Sequence, residues 1–141
     1  MQELAASARL AGIARDETGL ILIDAQERLF QAMPEPAARE HLRNMERMLQ
    51  AALQLQLPIL VTEQYPNGLG PTLPALRAIL GDAYQPLAKV HFSCCGDDKI
   101  RAWIEEAGCT HWILVGMETH VCVYLTALDL LQIGKVPHVA G

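Results

Sequence analysis

Basic residues are scarce in this 141-residue chain: 11 Lys and Arg stand against 16 Asp and Glu, a formal charge of −5, and they form no cluster. The chain therefore offers no electrostatic footprint for a phosphate backbone or an anionic membrane surface, and neither nucleic acid nor membrane is expected as a partner. No apolar run is long enough to span a bilayer. The opening stretch MQELAASARLAGIARDETG lacks the continuous apolar segment of a secretory signal. The four cysteines, at 94, 95, 109 and 122, include no C-x-x-C pair, so neither a zinc site nor thioredoxin-type redox chemistry is expected. Reduced thiols in a cytoplasmic protein are the simplest reading. Histidines at metal-ligand spacing, such as H-x-x-x-H or H-E-x-x-H, are missing, and no metal or cofactor is expected. Gly68-Leu69-Gly70 lacks the last glycine of a dinucleotide fingerprint, and no Walker-type G-K-[ST] occurs, so that loop reads as turn chemistry.

Apolar side chains, by contrast, are plentiful: 51% of residues are hydrophobic and 19% charged, although aromatics make up only 5%. The length suits one domain, 1–141, with one core. So apolar a chain with few aromatics needs further burial, and a homo-oligomer is expected. Apolar runs alternate with amphipathic stretches in the pattern of βαβ units around a parallel sheet, an α/β fold with helices on both faces. Strands are expected at 19–24, 58–62, 87–91, 111–116 and 135–140. Their near-continuous Val, Ile and Leu content implies burial on both faces, while Pro137 marks the last as short or at an edge. Leu42, Met45, Leu49, Ala52 and Leu53 form one helical stripe within 34–56, where methionine is core filler. Two further helices are expected over 97–107, ended by Gly108, and over 119–133, ended by Gly134. The chain stops in a strand-like run with no helix to cover it, which implies a covering partner or a shortened fold.

In open α/β sheets ligands bind beyond the carboxyl ends of the strands. Asp24 closes the first strand, Lys89 interrupts the apolar third, and Cys122 opens the helix after the fourth. A buried carboxylate and a buried ammonium each need a counter-charge, and both are explained if they face one another and the thiol. With Thr119 as N-cap, Cys122 would occupy N3, where unpaired backbone N–H groups and the helix dipole favour thiolate. A haloacid-dehalogenase-type phosphatase would need a second Asp two residues after Asp24, and Gln26 stands there. Of the histidines, His41 falls on a polar helix face, while His91 and His120 flank the site.

The segments LILIDAQERL at 20–29, VTEQYPNGLGPTLPAL at 61–76, KVHFSC at 89–94 and GMETHVCVYLTALDLLQIGKVPHV at 116–139 resemble isochorismatase-like cysteine hydrolases. The likeness is to the branch holding uncharacterised bacterial proteins and the animal isochorismatase-domain-containing proteins. It implies a three-layer Rossmann-like fold with a six-stranded parallel sheet, whose sixth strand is expected to be missing here or supplied otherwise. It also implies an Asp–Lys–Cys triad at Asp24, Lys89 and Cys122. A cis peptide at Met117-Glu118 would precede the cysteine helix, its amide forming an oxyanion hole with that of Cys122. The nicotinamidase branch of the family binds a metal through Asp-x-His plus His; Glu63-Gln64-Tyr65 replaces that set here, so neither the metal nor nicotinamide is expected.

The expected activity is hydrolysis of a C–N bond in a small amide through a covalent acyl-enzyme, with Gln26, Gln64, Phe92 and His120 lining the substrate pocket. The alternatives are a vinyl-ether hydrolase of the isochorismate type, which needs no thiol, and a non-catalytic oligomeric binding or scaffold relative.

Overall fold

The computed structural model describes residues 14–117 and 119–140, with Thr119 and His120 described by backbone alone. Expectations for residues 1–13, for Glu118 and for the His120 side chain lie outside the described residues. Five parallel strands, β1 (Thr18–Ile23), β2 (Ile59–Gln64), β3 (Leu87–Lys89), β4 (His111–Gly116) and β5 (Val136–Val139), form a sheet in the order β3-β2-β1-β4-β5. The expected α/β architecture is present, with five strands among the described residues where the family pattern has six.

Central position follows from composition. All six residues of β1, TGLILI, are buried, because helices cover both faces of a parallel sheet. Strand alternation sends Ile21 and Ile23 into a core shared with Ile100, Ile104, Trp112 and Leu130. Leu20 and Leu22 enter the opposite core with Met45, Leu49 and Leu76. Each such aliphatic side chain contributes roughly 1.5–3 kcal/mol on burial. Gly19 is dictated by the same packing, since a Cβ there would collide with the Trp112 ring.

Among the described residues, six α-helices fill the connections: α1 (Glu27–Gln31), α2 (Glu35–Gln54), α3 (Pro66–Leu69), α4 (Pro74–Leu80), α5 (Asp98–Ala107) and α6 (Tyr124–Gln132). In α2 the buried residues Met45, Leu49 and Ala52 recur at four- and three-residue steps, as the stripe predicted. The Asp97 carboxylate caps α5 by accepting from the N–H groups of Lys99 and Ile100, and Gly108 ends it at φ 70°. Pro137 lies in β5 at the sheet edge, where its missing N–H costs no ladder bond to a further described strand.

Three expectations need correction. The loop around Gly68 contains the short helix α3, and α4 follows it; both start on proline, whose fixed φ suits the first helical turn. The third strand ends at Lys89, two residues early, because the backbone then turns so that the His91 and Phe92 carbonyls face the Lys89 ammonium. The helix expected from Thr119 opens instead as a π-helical turn, Thr119–Val123, and regular α6 begins only at Tyr124.

Candidate active site

The chain leaves β1 for β2 on one side of the sheet and returns to β4 on the other, which opens a crevice at the carboxyl ends of these strands. Asp24 sits at its base with φ 50°, a left-handed conformation that Asp tolerates better than most residues. Its carboxylate is fully buried. Oδ1 accepts from the Thr62 hydroxyl at 2.9 Å, and Oδ2 lies 2.9 Å from Lys89 Nζ. The Lys89 ammonium, whose side chain is also fully buried, donates to Gln64 Oε1 at 2.8 Å, His91 O at 2.9 Å and Phe92 O at 3.0 Å. Cys122 Sγ stands 3.7 Å from the same nitrogen. Four oxygens and a sulfur thus surround three N–H bonds, a donor shortage that suits a charged ammonium. The structure brings Asp24, Lys89 and Cys122 together as expected.

Cys122 does not reach this place as the N3 residue of a capped α-helix. It lies inside the π-helical turn, a geometry with i to i+5 hydrogen bonds that often marks functional sites. The turn follows Gly116, whose φ of 132° and close approach to Ile23 exclude any side chain: a Cβ would run into the Ile23 carbonyl. The N–H of Met117 is donated to Ile23 O at 2.8 Å, so Met117 holds β4 against β1 and has no amide left for an oxyanion. The expected cis peptide involves Glu118, outside the described residues. His41, assigned by its sequence position to a polar face, is half-buried, stacks on Phe30 and sets Nε2 3.1 Å from the Gly116 carbonyl. A contact across 75 residues leaves no local signal.

The other cysteines differ in kind. Burial pushes the thiols of Cys94 and Cys95 up to about 11, and that of Cys109 up as well. All three are disfavoured as nucleophiles at neutral pH. Among the expected pocket residues, Gln26 is fully buried, with Nε2 donated to Gln64 O and Gly70 O and Oε1 accepting from Gln64 N. Gln64 donates from Nε2 to Val90 O and accepts through Oε1 from Lys89 Nζ. The Gln26 amide is therefore fully occupied by protein groups, whereas Gln64 keeps one Nε2 hydrogen beyond its bond to Val90 O. Phe92 contributes its carbonyl to the ammonium while the residue as a whole is 58% exposed. Thr62, which positions the carboxylate, went unnoticed in the sequence; its place two residues before Gln64 on β2 was the available signal. Glu63 points to the opposite face, where Oε2 accepts from Thr72 N, Thr72 Oγ1 and Tyr84 Oη. Among the described residues no group of three or more His, Cys, Asp or Glu could hold a metal, and no helix is long and apolar enough to cross a membrane.

Comparison with known proteins adds the following. A model of the isochorismatase domain matches residues 18–141. Isochorismatase domain-containing protein 2A of Mus musculus is 37% identical over 142 residues, covering 96% of this chain and 63% of its own length. A solved structure described as MAR1 ribonuclease from Caenorhabditis elegans is 35% identical with a TM-score of 0.81, covering 91% of this chain and 64% of its own. The YcaC gene product of Escherichia coli, described as an octameric hydrolase of unknown specificity, shares the fold at 22% identity and a TM-score of 0.81, over 91% of this chain and 63% of its own. The chain thus spans less than two thirds of each. The curated relative is an animal protein, which bears out the animal half of the expected branch and not the bacterial half.

Proposed function

Since the chain belongs to the isochorismatase domain family and carries its hydrolase-type fold, we propose that it is a cysteine-dependent hydrolase that cleaves the C–N bond of a small amide. The supporting observation is the single ammonium of Lys89, 2.9 Å from Asp24 Oδ2 and 3.7 Å from Cys122 Sγ. The Cys122 proton passes to Asp24, and the thiolate adds to the amide carbonyl, whose π pair moves to oxygen. Collapse of the adduct expels the amine, which takes the proton from Asp24. Water then attacks the thioester, releasing the carboxylic acid and restoring the thiol. The first transfer moves negative charge from one neighbour of Lys89 to the other, so the ammonium stabilises both states. The three carbonyl-type oxygens on Nζ keep it in position while the carboxylate is neutral. The amides of Glu118 and Cys122 are the proposed oxyanion donors. A screen of small amides with wild type and Cys122→Ala tests this reading. Turnover that survives in Cys122→Ala would return the chain to vinyl-ether chemistry, and no turnover with an unreactive Cys122 would return it to a scaffold role.

A second reading rests on the 35% identical C. elegans structure described as a ribonuclease. The net charge of −5 argues against it, and RNA left intact by wild-type protein would dismiss it. We further propose a cytoplasmic homo-oligomer of one domain, 1–141, in line with the exposed Tyr65, Val90, Phe92, Leu131 and Val139 and the octameric E. coli neighbour. Sedimentation of a monomer at micromolar concentration would dismiss the oligomer.

A further inference from the structure

We infer that Gln64 and Gln26 form a positioning relay that holds the Lys89 ammonium between carboxylate and thiol, and that the fully bonded Gln26 is not a substrate contact. The inference rests on Cys122 being the nucleophile. Gln64 can adopt only one orientation: its Nε2 is donated to Val90 O at 3.1 Å, which leaves Oε1 for the ammonium at 2.8 Å. The reverse flip would set an NH₂ against a group that has no lone pair to accept with. The main chain of Gln64 is fixed in turn at both polar atoms, its N–H donating to Gln26 Oε1 at 2.7 Å and its C=O accepting from Gln26 Nε2 at 2.9 Å. The second Nε2 hydrogen of Gln26 goes to Gly70 O at 2.7 Å, and its own N–H is bonded to Asp24 O at 2.8 Å. Gln26 thereby joins the residue just after β1 to the end of β2, with every hydrogen-bonding atom of its fully buried amide in use. The chain of contacts runs from the Asp24 backbone through Gln26 and Gln64 to the ammonium and the sulfur. A positioning group of this kind acts on the thiol whether or not substrate is present.

The test is alkylation of Cys122 by iodoacetamide across pH, followed by mass spectrometry of its peptide, with thermal unfolding recorded alongside. Gln64→Glu keeps the acceptor but sets a negative charge against the ammonium, so the alkylation midpoint should rise by about one pH unit. Gln64→Met keeps length and removes the acceptor, and alkylation near neutral pH should slow about tenfold, the equivalent of one charged hydrogen bond. Gln26→Leu should shift the profile in the same direction by less. If both Gln64 variants fold and alkylate with the wild-type profile, the relay is wrong; loss of thermal stability without a profile change would overturn it equally, as a structural role only. A wild-type Cys122 no more reactive than an unfolded cysteine would overturn the relay and the nucleophile together, whereas a reactive wild type with unshifted variants would sink the relay alone.

Discussion

Two buried carboxylates lie side by side on this sheet and do opposite work. Asp24 is met by a hydroxyl and an ammonium, Glu63 by two hydroxyls and a backbone N–H. The alternation of β2 separates them, since Thr62 and Gln64 serve the Asp24 side while Glu63 between them faces Thr72 and Tyr84. Neutral donors fix Glu63 as an anchor for the 65–72 segment and for the turn that carries Tyr84. Asp24 instead shares its cation with a sulfur, and in the proposed mechanism it exchanges its charge for the thiol proton. Burial alone therefore does not mark a functional carboxylate; the charge and mobility of its partners do.

Four measurements would break or sharpen that contrast. Cys122→Ala should reduce amide turnover to background while leaving thermal unfolding nearly unchanged, because the bond-forming atom is lost and little packing with it. Lys89→Met should abolish thiol reactivity and destabilise by about 3–5 kcal/mol in denaturant titration, as Asp24 is left a buried charge without a counter-ion. Glu63→Gln should cost about 1–3 kcal/mol, the range for leaving a buried donor unsatisfied, yet leave the Cys122 alkylation profile at its wild-type position. A shift of that profile would erase the distinction between the two carboxylates. The smallest effect is expected from alkali. Burial, and then the Glu63 carboxylate, push the Tyr84 phenol up to about 12 from an ordinary 10, so the folded state keeps a proton that the unfolded chain has lost. The Tyr84 contribution is full below pH 10 and disappears between pH 10 and 12, and the difference in stability between wild type and Tyr84→Phe should shrink across that window.

The fold was legible where composition is decisive. Uninterrupted TGLILI can only be a strand covered on both faces, and Asp24 and Lys89 announced themselves as charges ending or breaking apolar runs. The site was legible to the same depth, down to which three side chains meet, and no further. Gln26 and Gln64 look like any polar residues near a pocket until the partners of each amide atom are known, and those partners lie 38 and 25 residues away. The π-helical turn at Thr119–Val123 is a choice of hydrogen-bond register that residue type does not encode, so the N-cap expectation at Thr119 failed. The helices at Pro66 and Pro74 did carry a signal, proline at the first helical position, but each is too short for a periodic stripe.

The shell around Lys89 Nζ has a consequence for the life of the newly made chain. Its acceptors come from the end of β1, the end of β2, the turn after β3 and the segment after β4, and the sulfur is 33 residues from the lysine. No local fragment can assemble that shell, because loop closure across all four strands must come first. During synthesis and after any local unfolding, Cys122 is then an ordinary thiol with ordinary sluggishness toward electrophiles. On the proposed mechanism its nucleophilicity would arise only when the last of these contacts closes, as the final product of folding, and the unfinished chain would be spared premature modification.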